Sequence, residues 1–161
     1  MQENHMDHIM NQIYLGDQDS ALNHDNLIQH NIKYVINCTP NIPCPFKDIK
    51  YYRIPIHDKS ICDISVGQQM FEYIFNAFKV IDTALKCHCG VLVHCKKGHH
   101  RSANIILFYL VYKYNIGYIK ALIFINSIRP KALVRNTCIN NWGMTIYKQM
   151  ILDKYIKTHY N

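Results

Sequence analysis

The stretch VLVHCKKGHHRSANII, residues 91–106, limits the folds open to this chain more than any other segment. Its first three residues are apolar and predict a short buried strand, and a strand without polar side chains is typical of the centre of a parallel sheet. The apolar run after Ser102 predicts a helix. A tight loop between a buried strand and a helix suits an anion, because the loop amides and the helix N-terminus converge on one point.

The loop contains the residue types that an oxyanion site requires. Five residues separate Cys95 from Arg101, enough for a loop that curls once around a tetrahedral oxyanion. We expect Gly98, in mid-loop, to take a backbone conformation that other residues avoid. Arg101 lies at the predicted helix start, where its planar guanidinium can bind two phosphate oxygens. Such surroundings lower a thiol pKa from about 8.5 to roughly 3.5–7.5, which makes Cys95 a predicted thiolate nucleophile aimed at phosphorus.

Strands and helices alternate along the chain, which predicts an α/β domain with a central, largely parallel (mixed) sheet of four to five strands flanked by helices. Strands are predicted over 13–15, at a sheet edge, and over 34–38, 51–56 and 91–93. Helices are predicted over 20–30, 102–114, 118–128 and 141–155, with a further long helix that Asp63 or Ser65 caps. The first helix is expected to bury Ala21, Leu22, Leu27 and Ile28. Residues 1–11 and 156–161 are expected to be loose ends or oligomer contacts.

Length and composition favour one globular, soluble domain of 161 residues. The longest apolar run, 105–112, is too short to cross a bilayer, and the N-terminus lacks the pattern of a secretory signal. We therefore expect the cytoplasm, where the seven cysteines would stay free thiols. The net charge of +7 favours an anionic partner.

The order His94-Cys95, five residues, then Arg101-Ser102 is also the signature of the cysteine-dependent protein tyrosine phosphatase superfamily. Over about residues 12–150 the chain resembles its dual-specificity branch. The segment IYLGDQDSALNHDNLIQHNIKYVINCTPN is similar to that branch's opening, YYRIPIHD to its second strand and acid loop, and SIRP to its late Arg-Pro element. The resemblance implies the dual-specificity phosphatase fold, as a single catalytic domain over 1–161, with a shallow pocket for phosphotyrosine and phosphoserine or phosphothreonine.

The resemblance also implies a mechanism without metal or cofactor. Cys95 attacks phosphorus and becomes phosphocysteine, Ser102 donates a hydrogen bond to its sulfur, and His94 supports the loop from behind. The phosphate-binding residues implied are Lys96, Lys97, Gly98, His99, His100 and Arg101.

Two aspartates are candidates for the acid that protonates the leaving oxygen. Asp58 directly follows IPIH, as the branch's loop aspartate follows its strand, and we favour it. Asp63 is the alternative, because its distance from Cys95 is closer to the spacing common in relatives; it can also be read as a helix cap. Asp-to-Asn changes would separate the two.

Other interpretations of the thiols remain. Cys87, Cys89 and the histidines around Cys95 could form a zinc site, but Cys87-x-Cys89 lacks the usual ligand gap and a strand separates the two groups. Some members of the branch trap their oxidised nucleophile with a second cysteine, and the resemblance implies this role for Cys38.

The substrate class is the least constrained property. We rank phosphorylated proteins first, then phosphoinositides, because Lys96 and Lys97 are more basic than usual for the branch, and RNA 5′ phosphates third. A non-catalytic phosphate-binding module is the fourth reading. Nucleic acid is the less favoured partner and a homodimer stays open, since the resemblance extends to viral members, some of which dimerise. The Ile- and Asn-rich composition fits a large DNA virus, in which case the host cytoplasm or the virion is expected.

Overall fold

Five β-strands form one mixed sheet in the computed structural model, which describes residues 5–57, 68–134 and 137–159. The strands are β1 (Met6–Met10), β2 (Ile13–Gly16), β3 (Ile32–Asn37), β4 (Lys50–Arg53) and β5 (Gly90–His94). In order along the sheet they are β1-β2-β5-β3-β4. Only the pair β1–β2 is antiparallel within the described ranges, and β2, β5, β3 and β4 run parallel. The sheet therefore has the mixed, largely parallel form that the sequence predicts.

Helices cover both faces of the sheet. Two short ones, α1 (Gln18–Ala21) and α2 (His24–Gln29), pack with the smaller hydrophobic cluster. The longer α3 (Gln68–Lys86), α4 (Arg101–Tyr114), α5 (Tyr118–Ile128) and α6 (Thr137–His159) surround the larger one. No helix in the described ranges is long and apolar enough to cross a membrane.

Strand β5 lies at the centre of the sheet, as predicted. All five of its residues are buried, and it pairs in parallel with β2 on one side and β3 on the other. Its side chains alternate, so that Val91 and Val93 enter the larger cluster while Leu92 enters the smaller. This double burial explains why residues 91–93 are all apolar and fixes the point at which the chain leaves the sheet after His94.

Helix α4 continues from that point through the middle of the larger cluster. Every residue from Arg101 to Val111 is buried, which explains why the helix is apolar on every side over residues 105–111. The ring of Phe108 packs on Trp142 of α6 at 5.7 Å between centroids, and Tyr109 packs on Phe78 of α3 at 5.5 Å. The first turn of α4, with Arg101 and Ser102, is thus held rigidly by the core.

The N-terminus corrects one prediction. Residues 6–10 belong to a segment expected to be a loose end or an oligomer contact, but they form β1 and pair with β2, so β2 is an inner strand and not the edge. The register shifts between His8 and Met10, and the buried residues Met6 and Ile9 are consequently three positions apart. This irregularity hides the two-residue alternation by which a half-buried strand is recognised.

The predicted helix over 20–30 is also wrong, because two helices occupy this segment. Asn23 interrupts it: its side chain accepts a hydrogen bond from the Asn26 amide at 3.0 Å and so starts a second helix. Ala21 and Leu27 are buried as expected, but Leu22 and Ile28 are exposed.

Other boundaries differ less. Helix α5 has the predicted bounds, α4 begins one residue earlier, and α6 extends the predicted 141–155 at both ends. Strand β4 ends at Arg53, although Ile54 and Ile56 stay buried beyond it. The proposed caps of α3 at 63 and 65 lie outside the described residues.

Candidate active site

The carboxyl ends of three neighbouring parallel strands meet at one edge of the sheet. Gly16 and Asn37 both pair with His94, so β2 and β3 end beside the residue that precedes Cys95. The Cys38 amide donates to the His94 carbonyl at 2.8 Å and continues this alignment. Ligands of open α/β sheets bind at this edge, outside the carboxyl ends of the strands.

Each backbone carbonyl of the loop over residues 96–100 accepts a hydrogen bond from a group outside the loop. The donor–acceptor pairs are Gln18 N to Lys96 O (3.2 Å), Arg129 Nη2 to Lys97 O (3.2 Å), Arg129 Nε to Gly98 O (3.0 Å), Leu133 N to His99 O (2.8 Å) and Asn104 N to His100 O (2.9 Å). Since the N–H and C=O of a trans peptide point in opposite directions, outward carbonyls leave the amides directed to the loop centre. The loop is therefore arranged to bind an anion.

The sulfur of Cys95 lies among these donors. The Gly98 amide donates to Sγ at 3.2 Å and the Ser102 hydroxyl donates to it at 3.3 Å. Burial alone would raise the pKa of Cys95, but these hydrogen bonds, a further one from the Ser102 amide, and the charge of Arg101 hold its pKa below the ordinary value. The surroundings thus favour a thiolate.

Gly98 has the conformation predicted for it. Its φ is +66°, a value that residues with a Cβ rarely adopt. A Cβ on Gly98 would lie 2.4 Å from the carbonyl oxygen of Gly16, at the end of β2. Glycine therefore allows both the turn of the loop and its close approach to the sheet.

Arg101 begins α4 and faces a cleft of about 480 Å³. The residue is 6% exposed, and its Nη1 donates to the carbonyl oxygen of Ile56 at 3.1 Å. The cleft is lined by Gln18, Thr39, Pro40, Asn41, Ile42, Pro43, His57, Lys96 and Arg101. A phosphate ester entering here would meet the loop amides and the guanidinium.

His94 lies behind the loop and is fully buried. Its Nδ1 is 3.4 Å from the carbonyl oxygen of Cys95, a contact in which the nitrogen donates because a carbonyl only accepts. Burial lowers the pKa of His94 to about 4, so the ring is neutral near neutral pH. The residue is placed to support the loop without adding charge.

The remaining loop side chains form its rim. Lys96 and Lys97 are exposed, whereas His99 and His100 are half-buried. Burial, followed by the charge of Arg129, lowers the pKa of His99. His99 therefore becomes cationic only at a lower pH than an ordinary histidine.

Cys38 is fully buried directly after β3. Burial, followed by the negative charge of Cys95, raises its pKa well above the ordinary value. Cys38 therefore stays a neutral thiol beside the more acidic thiol of Cys95. The two candidate acids, Asp58 and Asp63, lie outside the described residues.

Strand β5 separates the thiols of the alternative zinc site. Cys87 and Cys89 precede the strand, whereas Cys95 and His99 follow it. Five residues of extended chain span about 16 Å, too far for one ion to be shared across them. These groups do not form a common metal site.

The family model for "Dual specificity phosphatase, catalytic domain" matches residues 13–144, most of the chain. The chain belongs to the dual specificity phosphatase catalytic domain family. Among curated proteins it is similar to human dual specificity protein phosphatase 6, at 37% identity over 108 residues, and to human dual specificity protein phosphatase 9, at 35% over 112. These alignments cover 65% and 68% of this chain, but only 27% and 28% of the two relatives.

Solved structures of the family share the fold. Human DUSP28 aligns with a TM-score of 0.77 at 17% identity, over 92% of this chain and 96% of that one. DUSP15 aligns with a TM-score of 0.75 at 20% identity, over 99% of both chains. The α/β architecture is thus that of dual specificity phosphatases.

Sequence reasoning missed two residues that support the loop of this family member. Arg129 belongs to the SIRP segment, so a signal for it existed, although the segment does not reveal that its side chain bonds to loop carbonyls. Asp7, which binds Arg129, lies in β1, and no pattern in the sequence marks it.

Proposed function

We propose that this chain is a protein phosphatase that hydrolyses phosphotyrosine and phosphoserine or phosphothreonine through a phosphocysteine intermediate. One observation carries the proposal: Cys95 Sγ accepts hydrogen bonds from Ser102 and Gly98 in a loop that continues into Arg101 at the cleft. A thiolate held beneath inward amides and a guanidinium is suited to attack phosphorus.

The reaction has two steps. The Cys95 thiolate attacks phosphorus and the bond to the leaving oxygen breaks, while an acid supplies the proton which that oxygen takes up. A water molecule then gives a proton to the deprotonated acid and attacks the phosphocysteine, so that the S–P bond breaks, inorganic phosphate leaves and the thiolate returns. In both steps the loop amides and Arg101 would bind the phosphoryl oxygens, and the Ser102 hydroxyl would stabilise the departing sulfur.

We propose Asp58 as the acid, with Asp63 as the alternative. Asp58 follows His57, a cleft-lining residue, and the preceding Ile56 carbonyl accepts a hydrogen bond from Arg101. Asp58→Asn should slow hydrolysis of an ester with a poor leaving group and flatten its pH profile between acid and neutral pH. If Asp63→Asn has this effect and Asp58→Asn does not, the assignment is reversed.

Turnover of p-nitrophenyl phosphate tests the proposed function. The full chain should hydrolyse this ester, and Cys95→Ser should abolish the activity. Cys87→Ser, at an exposed cysteine on the other side of β5, is the matched control and should retain it. If the wild-type chain binds phosphate but shows no turnover, it is a binding module instead.

A substrate panel tests the proposed class. Peptides with phosphotyrosine, phosphoserine or phosphothreonine, phosphoinositide vesicles and triphosphorylated RNA should be compared by kcat/KM. We expect the phosphopeptides to be favoured. A preference for phosphoinositides or for RNA would overturn the protein substrate. The former would assign the exposed Lys96 and Lys97 to headgroup binding.

We also propose that Cys38 protects the oxidised nucleophile. Cys38 and Cys95 follow the paired residues Asn37 and His94 on adjacent strands, and such neighbours lie about 4.8 Å apart, within the roughly 4.4–6.8 Å between the Cα atoms of a disulfide. Hydrogen peroxide would oxidise Cys95 to a sulfenic acid, and attack by Cys38 would then release water and form the S–S bond. Peptide mapping of the peroxide-treated wild type should find this bond. The Cys38→Ser variant should instead carry sulfinic acid at Cys95. Sulfinic acid at Cys95 in the wild type would refute the protective role of Cys38.

We extend the proposal to the cellular location of the protein. Cysteines stay free thiols in a reducing compartment, so we place this cysteine-rich chain in the cytoplasm, acting on phosphorylated proteins. The single catalytic domain over 1–161, a homodimer and a viral origin stay predictions.

A further inference from the structure

Arg129 holds the middle of the phosphate-binding loop from outside. Its Nε donates to the Gly98 carbonyl at 3.0 Å and its Nη2 donates to the Lys97 carbonyl at 3.2 Å. The planar guanidinium thus fixes two consecutive peptides in one orientation. The Lys97–Gly98 peptide also contains the Gly98 amide that donates to Cys95 Sγ at 3.2 Å, so the position of Arg129 bears directly on the sulfur.

Asp7 holds Arg129 in turn. Its Oδ2 accepts from Arg129 Nη1 at 2.6 Å, with the two side chains only 15% and 9% exposed. A charge-assisted bond of this length is strong, and a buried guanidinium without its counter-charge is strongly unfavourable. The backbone of Asp7 is fixed as well, because it pairs with Leu15 in the β1–β2 ladder.

Both signs of charge surround Arg129. Lys97, His99 and Lys131 line the same cleft as Arg129, beside the phosphate-binding loop, and so do Asp17 and Asp19, whose carboxylates pair with His5. Burial, followed by the charge of Arg129, lowers the pKa of His99. The nearby cations repel the guanidinium, and the Asp7 carboxylate, which bonds to it directly, offsets this repulsion.

We propose that Asp7 is a positioning residue for the phosphate-binding loop, acting through Arg129 to keep the Gly98 amide directed at Cys95. The proposal rests on the proposed phosphatase function, because it assigns Asp7 a part in preparing that nucleophile. Strand β1 is thus a component of the site, because Asp7 acts on the sulfur through Arg129 and the Lys97–Gly98 peptide.

The direction in which the pKa of Cys95 shifts when Asp7 is replaced separates a positioning role from a simple charge effect. If Asp7 acted only through its negative charge, its removal would stabilise the thiolate and lower the pKa of Cys95. If Asp7 positions the loop, its removal loosens Arg129, weakens the Gly98 hydrogen bond and raises that pKa. A merely structural role lowers the melting temperature and leaves the pKa of the folded protein unchanged.

The experiment measures the thiol pKa from the pH dependence of Cys95 alkylation by iodoacetate, in Asp7→Asn and the wild type. Asparagine keeps the shape of the side chain but loses the charge. We expect the pKa to rise by about half a unit to one unit, with a several-fold fall in kcat/KM for p-nitrophenyl phosphate. Asp19→Asn, which removes an equal charge from a nearby exposed site, is the matched control and should change neither quantity.

Two further variants keep the test decisive if Asp7→Asn folds poorly. Asp7→Glu restores the carboxylate and should recover most of the wild-type pKa, whereas Arg129→Lys cannot bond both carbonyls in the same plane and should raise it. In the double variant with Asp7→Asn and Arg129→Lys, the two increases in the pKa of Cys95 should not add, because both substitutions weaken the same contact. An unchanged or lowered pKa in Asp7→Asn or Arg129→Lys overturns the proposal. Alkylation needs no turnover, so an inactive wild type would sink the proposed function and leave this comparison intact.

Discussion

The hydroxyl of Ser102 offers the most direct test of how the site stabilises its thiolate. It is fully buried and donates to Cys95 Sγ at 3.3 Å. Ser102→Ala removes this oxygen without adding bulk or disturbing the first turn of α4, since alanine is an excellent helix former. The change therefore isolates one hydrogen bond to the sulfur.

The size of the effect follows from the charge on the acceptor. A hydrogen bond to a charged group contributes about 1.5–3 kcal/mol and one between neutral groups about 0.5–1.5 kcal/mol. The thiolate therefore loses about 1–2 kcal/mol more than the thiol does. Since one pKa unit corresponds to about 1.4 kcal/mol, the pKa of Cys95 should rise by about one unit. It should stay below that of an ordinary thiol, because the Gly98 amide and the charge of Arg101 remain.

The pH dependence of iodoacetamide alkylation, or of thiolate absorbance in the ultraviolet, gives this pKa directly. Thr83→Ala is the control, because Thr83 is exposed and its hydroxyl donates to the Lys79 carbonyl within α3. An unchanged pKa in Ser102→Ala would mean that amides and Arg101 alone keep the sulfur anionic. The assignment of Ser102 as a thiolate donor would then be wrong.

Two further predictions concern the loop and its support. His94 has a folded-state pKa of about 4, below its ordinary 6.5, so between these two pH values the unfolded chain binds a proton that the folded chain does not. The free energy of unfolding should therefore be greatest above about pH 6.5 and fall by about 2 kcal/mol between about pH 7 and pH 5. His94→Gln should flatten this pH dependence, as measured by urea unfolding. If the variant loses stability as steeply with falling pH as the wild type does, the buried ring is not the cause. Gly98→Ala should cost at least about 1–2 kcal/mol and much of kcat/KM, because its φ is +66° and its Cβ would meet Gly16. Gly117→Ala, where a Cβ meets open space, is the control for thermal unfolding and turnover.

The centre of the fold could be predicted because its determinants are local. A strand buried on both faces, a loop of fixed length and a helical segment buried on all sides follow one another between Gly90 and Val111. Each element has its own composition, and the order of the elements implies the parallel sheet. Arg101 and Ser102 could be assigned to the start of the helix for the same reason.

Prediction from the sequence failed where a structure depends on residues far apart in the chain or on an interruption of a regular pattern. The bulge between His8 and Met10 removes the alternation of β1, and the capping side chain of Asn23 divides a pattern that looks like one helix. The contact between Asp7 and Arg129 joins residues 122 positions apart. No short-range pattern reports such a pair, since it exists only after the sheet has formed around it.

The outward carbonyls of the loop have a consequence for how activity could be turned off. To rotate a single peptide between Lys96 and His100 would break bonds to partners contributed by β2–α1, α4 or the segment after α5. Such a cradle has few alternative shapes available at low energy, so an inhibitory signal gains little by remodelling it. Control is more readily exerted on the sulfur itself, by oxidation, or on access to the cleft above it.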